Sequence, residues 1–286
     1  MDKYVIVTDS TADLPKSILD EFGISVVPMK FTVNGKTYAD GDMNSHEFYS
    51  SLKTFEQLPT TTQINPQEYS DFFEEFLKKD QNVLYVCFSS GLSGSYNSAC
   101  IAANELCDKY NSKVKVVDSR GASMGEGFLV YKLALKKQSG LSFDDAVKWA
   151  EDYKMKITHI FTVDDLNHLA RSGRLSKTSA FFGGMMNIKP VLHVDEDGKL
   201  ILIDKIRGRG KALDLMVDKF EQCSEGVEND FIMISHGDCF EDAKKLAEKI
   251  KEKFGIKNII FGNITPMIGT HTGLGTLSIF FEGNCR

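Results

Sequence analysis

The chain has no C-x-x-C pair and no Cys/His spacing of the kind that holds a metal, although it carries 6 cysteines in 286 residues. Cys87, Cys100, Cys107, Cys223, Cys239 and Cys285 are scattered, which reads as reduced thiols and not as a disulfide framework or a zinc site. Positive charge is not in excess either. Lys and Arg number 34 against 40 Asp and Glu, a net charge of −6, which excludes a general nucleic-acid binder that neutralises phosphates over a broad surface. No apolar run approaches the length of a membrane-spanning helix, and the opening MDKYVIVTDS has too short an apolar segment for a secretory signal, so a cytoplasmic location is expected. A G-x-x-x-x-G-K-[ST] loop is missing, and Gly208-Arg-Gly-Lys211 is too short and wrongly placed to act as one, so ATP binding of that type is not expected. Neither a metal nor a cofactor is indicated.

What is present is ordinary globular material, 42% hydrophobic and 26% charged, long enough for two domains of usual size. Tyr4–Val7, Ser25–Val27, Val83–Phe88, Val114–Val117 and Ile157–Val163 read as strands, several without polar alternation, as in a sheet covered on both faces. Amphipathic segments lie between them. One starts at Pro66 behind Asn65, with Glu68 placed for a capping box and Tyr69, Phe72, Phe73, Phe76 and Leu77 on one face. Another opens at Ser142 and turns Ala146, Val147, Trp149, Ala150 and Tyr153 inward. This βα alternation predicts an α/β fold whose N-terminal sheet is mostly parallel and covered by helices. From about Asp164 the texture changes to a short helix ending near Gly173 and a hairpin of Val191–Val194 and Leu200–Ile203. A helix from Asp238 to Phe254 and strands near Ile259 and Leu277–Phe281 follow. The expected division is an N-terminal α/β domain, 1–160, and a C-terminal α/β domain with a mixed or antiparallel sheet and helices, 161–286.

Four serines and two glycines crowd Ser89-Ser-Gly-Leu-Ser-Gly-Ser95, directly after the apolar run that ends at Phe88. A turn needs one glycine and a helix start one hydroxyl. At the end of a parallel strand, such a turn into a helix exposes backbone N–H groups and a partial positive charge, which suits a carboxylate or phosphate. On this reading Gly91 and Gly94 admit a ligand to the backbone, while Ser93 and Ser95 add donors; the bland alternative is a well-capped turn. Gly91-Leu-Ser-Gly-Ser95 also resembles the G-x-S-x-G elbow of serine hydrolases, with Ser93 as nucleophile and His271 as base. Its last glycine is replaced and no acid is nominated. Thr61 and Thr62, just ahead of the Asn65 cap, have hydroxyls to offer an anion. Asp9 reads as an Asx-turn and helix cap. His271 lies among Gly269, Gly273 and Gly275, a backbone bent around something.

Thr8-Asp-Ser-Thr-Ala-Asp-Leu-Pro15, Pro59-Thr-Thr-Thr-Gln63, Ser89-Ser-Gly-Leu-Ser-Gly94, Asp118-Ser-Arg-Gly-Ala-Ser-Met-Gly125, Ser172-Gly-Arg-Leu-Ser-Lys177, Ile188-Lys-Pro-Val-Leu192 and Ile268-Gly-Thr-His-Thr-Gly-Leu-Gly275 together resemble the DegV family, in order along the whole chain. The resemblance implies a bacterial protein of two α/β domains with a long-chain fatty acid in the deep pocket between them. It further implies the acyl-carrying (FakB-type) subunit of fatty acid kinase. A separate ATP-dependent catalytic subunit would phosphorylate the bound acid to an acyl phosphate for phospholipid synthesis. The chain would then be a carrier that meets the membrane surface transiently, and not itself an enzyme. Carried over by motif, the carboxylate would be held by Thr61 or Thr62, Ser93, Gly94 and His271. Arg171, Arg174 and Arg207 would rim the entrance or dock the kinase. Where the family usually has Ser and Pro, this chain has Thr62, which keeps the hydroxyl, and Ile64, which removes a proline from the turn. Twenty Phe and ten Met residues are generous for this length, and Ala180-Phe-Phe-Gly-Gly-Met-Met186 has the composition of a tunnel lining. The open alternatives are the serine hydrolase and a binding module for another small carboxylate or phosphate.

Overall fold

Strands whose every side chain must be buried need helices on both faces, and the first third of the chain supplies them. The computed structural model describes residues 3–52, 54–175 and 187–286. Strand β1 (Tyr4–Asp9) is followed by a helical turn at Ser10–Ala12, helix α1 (Lys16–Phe22) and β2 (Ser25–Val27). Next come β3 (Lys30–Val33), β4 (Lys36–Ala39), α2 (Ser45–Ser51), β5 (Thr60–Thr62) and α3 (Pro66–Leu77). The alternation continues with β6 (Asn82–Cys87), α4 (Ser95–Cys107), β7 (Val114–Asp118), α5 (Met124–Gln138) and α6 (Phe143–Tyr153). A four-stranded parallel sheet runs in the order β2-β1-β6-β7. Tyr69, Phe73, Ala99 and Ala102 of α3 and α4 pack on one face of it, and Phe128, Leu133, Phe143 and Ala146 of α5 and α6 on the other. The Asn65–Glu68 capping box at α3 and the Ser142 cap at α6 form as the sequence predicts.

The second sheet takes β8 (Ile157–Thr162), β9 (Ile188–Val194), β10 (Leu200–Arg207), β11 (Phe231–His236), β12 (Asn258–Asn263) and β13 (Leu277–Glu282). Between them lie α7 (Leu166–Arg171), α8 (Arg209–Cys223), α9 (Phe240–Phe254) and α10 (Pro266–Thr272). The strand order is β10-β9-β8-β13-β11-β12, antiparallel except for the β11–β12 pair. The boundary expected at residue 160 falls inside β8. That strand pairs throughout with β13 and lies whole in the second sheet, although its uniform burial is indistinguishable in sequence from that of β1 or β6. Helix α5 is buried nearly all round because it packs between the two sheets: Phe128 stacks on Phe231 of β11 at 4.7 Å while the same apolar cluster includes Ile6 and Leu84 of the first sheet.

Further differences concern smaller features. The small antiparallel sheet β4-β3-β5 was not anticipated, although Asn34-Gly35 between two short β-rich segments is a hairpin signal; both residues have positive φ. The late helix begins at Phe240 and not at Asp238, and Phe240 is 45% exposed. Cys223 and Cys285, read as reduced thiols, are joined as a disulfide. The tail after β13 folds back along the end of α8, where Asn284 N donates to Cys223 O, and this brings Cα atoms 62 residues apart in sequence to 5.1 Å. The stretch Ala180–Met186, expected to line a tunnel, lies outside the described residues.

The first glycine of the loop after β6 has a different use from the one expected. Gly91 meets the turn of the β9–β10 hairpin: a Cβ there would sit 2.5 Å from Asp197 O and 2.8 Å from Gly198 O. Ser89 Oγ donates to Gly198 O at 2.8 Å, and Arg120 donates to Asp197 O at 2.9 Å. Half of the serine and glycine surplus therefore locks the first sheet to a hairpin of the second. Gly91→Ala is expected to destabilise the protein by roughly 1–3 kcal/mol in urea unfolding, since backbone carbonyls cannot move aside. Gly94→Ala, whose neighbour is the flexible end of Gln63, should cost less. Equal costs would contradict this division of roles.

Candidate functional site

Buried carboxylates at the end of β1 hold the parts of the site in place. Asp9 accepts from Thr11 N at 3.0 Å, Tyr85 Oη at 2.8 Å and Phe88 N at 3.1 Å, capping its own turn and pinning the exit of β6. Glu126 of α5 accepts from the hydroxyls of Thr8 at 2.7 Å and Thr11 at 3.0 Å. Asp13, with φ 51, accepts from Ser123 Oγ at 2.5 Å and from Thr265 N at 2.9 Å, and its burial pushes the carboxyl up to about 8. Thr265 precedes α10, which Pro266 opens, and that helix carries His271. Ser123 precedes α5 in a strained conformation, φ 54 and ψ −148, its hydroxyl turned to Asp13 and to Ser235 Oγ at 2.9 Å and not to the helix start. Ala122 and Ser123 of the Asp118–Gly125 motif thus come to line a cavity.

That cavity, of about 420 Å³, lies between the sheets. Apolar side chains form most of its wall, among them Met29, Phe88, Leu92, Phe161, Met267 and Ile268. Polar groups gather at one end. Thr61, Thr62, Ser93, Gly94 and His271 all line it, from β5, the start of α4 and α10. Thr61 Oγ1 and His271 Nε2 are 2.8 Å apart, and the pairing of Thr61 with Phe31 on β3 sets that approach. Ser93 Oγ lies 3.0 Å from Ser95 Oγ and accepts from Ser95 N at 3.2 Å, so the hydroxyl is oriented by its own helix start. Arg174 reaches the same end and joins Arg171, His168 and His271 around an adjoining recess of about 400 Å³. Arg207, opposite Ile188 at the end of β10, lines neither.

Burial pushes the His271 imidazole down to about 4, helped by the positive charges of Arg174 and His168. The ring is neutral near pH 7 and offers one donor and one acceptor. A nucleophile–base pair is not assembled: His271 gives Nε2 to Thr61 and not to Ser93, and the charges that act on it are cationic where a triad needs a carboxylate. The arrangement is suited to holding an anion beside an apolar chain. Sequence reasoning missed Gln63, Met29, Ser278 and His159, which also line the cavity. Gln63 closes the Pro59–Gln63 motif and Met29 follows the strand read at Ser25–Val27, whereas Ser278 and His159 lie in strands read only for their apolar content.

A family model described as an uncharacterised protein of the DegV family matches residues 3–284. A DegV domain-containing protein of Clostridium perfringens is 41% identical over 290 residues, covering 100% of this chain and 99% of the relative. Among solved structures, DegV from Bacillus subtilis, described as a fatty acid binding protein, is 31% identical with a TM-score of 0.88, over 99% of this chain and 100% of that one. A DegV family protein from Thermus thermophilus, described by its fatty acid binding, is 27% identical with a TM-score of 0.89 over the same shares, 99% and 100%.

The depressed His271 value has a consequence for stability. Above pH 6.5 the ring is neutral folded and unfolded and contributes nothing; below it the unfolded chain takes up a proton that the folded ring refuses until about pH 4. Wild type should therefore lose stability relative to His271→Gln across that window, by roughly 2 kcal/mol after allowing for partial exposure. Unfolding curves at a series of pH values check this, and a difference that is constant with pH would contradict it.

Proposed function

The chain belongs to the DegV family, and from that premise we propose that it binds a long-chain fatty acid and presents the carboxylate to a separate ATP-dependent fatty acid kinase for acyl-phosphate formation. The observation that carries the reading is that Thr61, Thr62, Ser93, Gly94 and His271, with Thr61 and His271 in contact, line a mostly apolar cavity. A carboxylate leaves water at great cost unless several donors replace the lost hydration. Two threonine hydroxyls, a serine, the first-turn amides of α4 and a neutral imidazole supply that set. Each methylene buried in the apolar part contributes about 0.8 kcal/mol, so a chain of ~14 carbons offers roughly 10 kcal/mol before ordering costs. The description of the relatives from Bacillus subtilis and Thermus thermophilus as fatty acid binders supports the ligand class.

In this reading the protein is a carrier of the bacterial cytoplasm, with no catalytic residue of its own. It takes the acid from the membrane surface in a transient encounter and encloses the tail between its two domains. The parallel-sheet layer and the six-stranded layer serve as those domains, divided just ahead of β8. Arg174 and Arg171 flank the polar end, where a kinase delivering phosphate would meet cations. Arg207 stands apart from this rim, and its part would be in partner docking.

Delipidated protein should bind palmitate or oleate in calorimetry. Thr61→Val and His271→Leu should each weaken binding by about tenfold to a hundredfold, the worth of a hydrogen bond to a buried charge, with the fold intact by circular dichroism. Incubation with a fatty acid kinase catalytic subunit, ATP and labelled acid should give hydroxylamine-sensitive label only when both proteins are present. Failure to bind either acid would refute the ligand; binding without acyl phosphate would refute the kinase role alone.

A further inference from the structure

The inner end of the cavity carries a polar group that an unsubstituted acyl chain does not use. β8 and β13 run antiparallel, with Phe161 opposite Ser278 and His159 opposite Phe280. Side chains two residues apart share a face, so Thr276, Ser278 and Phe280 descend one wall while Phe161 and His159 descend the next. All of them line the cavity. From Thr276, beside the His271 helix, to Phe280 is about 13 Å of extended strand. His159 therefore lies deep, far from the Thr61–His271 end.

His159 is 1% exposed, and neither Nδ1 nor Nε2 has a hydrogen-bond partner. Its ring meets the edge of Phe280 at 5.4 Å and 77°, and its Nε2 side rests on Gly121 and Gly125. A Cβ on Gly125 would overlap the imidazole, so the motif glycine makes room for it. Ser278 and Ser123 also line the cavity. A buried imidazole with two unpartnered nitrogens is costly, and apolar packing of the same volume would remove that cost. Burial, with the charges of Arg286 and His193, holds the ring well below its ordinary value, so it is neutral, one nitrogen donating and the other accepting.

We infer that this inner end is a second polar subsite, built on His159, for an oxygen-bearing substituent far from the carboxylate, so that the preferred ligand is a mid-chain hydroxy or oxo fatty acid. The inference rests on the fatty acid reading of the cavity. A hydroxyl can donate to one partner and accept from another, and an oxo group accepts from the ring N–H; a methylene does neither. The chain itself is bound by the apolar wall in every case.

The test is competitive binding of mid-chain hydroxystearate, mid-chain oxostearate and stearate to the delipidated full-length chain. Wild type should bind the hydroxy acid about tenfold more tightly than stearate, the worth of one buried hydrogen bond, with the oxo acid in the same direction. His159→Leu should lose that preference, and His159→Gln should keep part of it. Stearate bound as well as or better than hydroxystearate by wild type overturns the subsite and leaves the fatty acid reading standing. A preference that survives in folded His159→Leu overturns it equally. Binding of none of the three acids sinks the fatty acid reading itself. Should His159→Leu fail to fold, the wild-type comparison decides alone.

Discussion

The carboxyl group of Asp13 is the joint on which the arrangement turns. It is buried, it closes the helical turn that follows the first strand, and the donors it accepts from are Ser123 Oγ and Thr265 N. One directly precedes the helix sandwiched between the sheets, and the other directly precedes the helix that carries His271. A carboxyl group removed from water demands donors, and here those donors come from the parts that must be held in register. Through Ser123 the joint reaches Ser235 of β11, so the first strand, the central helix and the second sheet are bound in a single polar cluster. Thr61 meets His271 because this cluster fixes one partner and the small antiparallel sheet fixes the other.

The loop after β6 shows how one stretch of sequence serves two physical ends. Ser89 and Gly91 face the hairpin turn at Asp197–Gly198 and hold the two sheets together, while Ser93 and Gly94 face the cavity. The dense run of small residues is explained by this division: close backbone packing on one side, donors on the other. Strain at Ser123 and the close fit of Gly125 against His159 repeat the pattern beside the cavity. Sites built at the seam of two layers need small residues for the seam and polar ones for the ligand.

Much of this was legible in the sequence, for identifiable reasons. Uniformly apolar runs such as Val83–Val86 announce a covered sheet, and Asn65-Pro66 with Glu68 announces a helix start, because local chemistry decides both. Thr61, Ser93, Gly94 and His271 stood out because hydroxyls, glycines and a histidine crowd there beyond what caps and turns need. The assignment of β8 to a sheet was not legible, since burial on both faces looks the same in either layer. The Cys223–Cys285 pairing depends on where the tail folds back, which no local pattern records. His159 was hidden for a related reason: a single polar residue inside a buried strand signals nothing until its neighbours, and their failure to bond it, are known.

The central claim is that an acyl carboxylate sits out of water against Thr61 and His271. Carbon NMR of a carboxyl-labelled long-chain acid bound to the protein addresses it most directly. The account predicts one bound carboxyl resonance, displaced from that of the free acid in water and displaced again in Thr61→Val. A bound resonance that matches the water-exposed carboxylate and ignores Thr61→Val would contradict it.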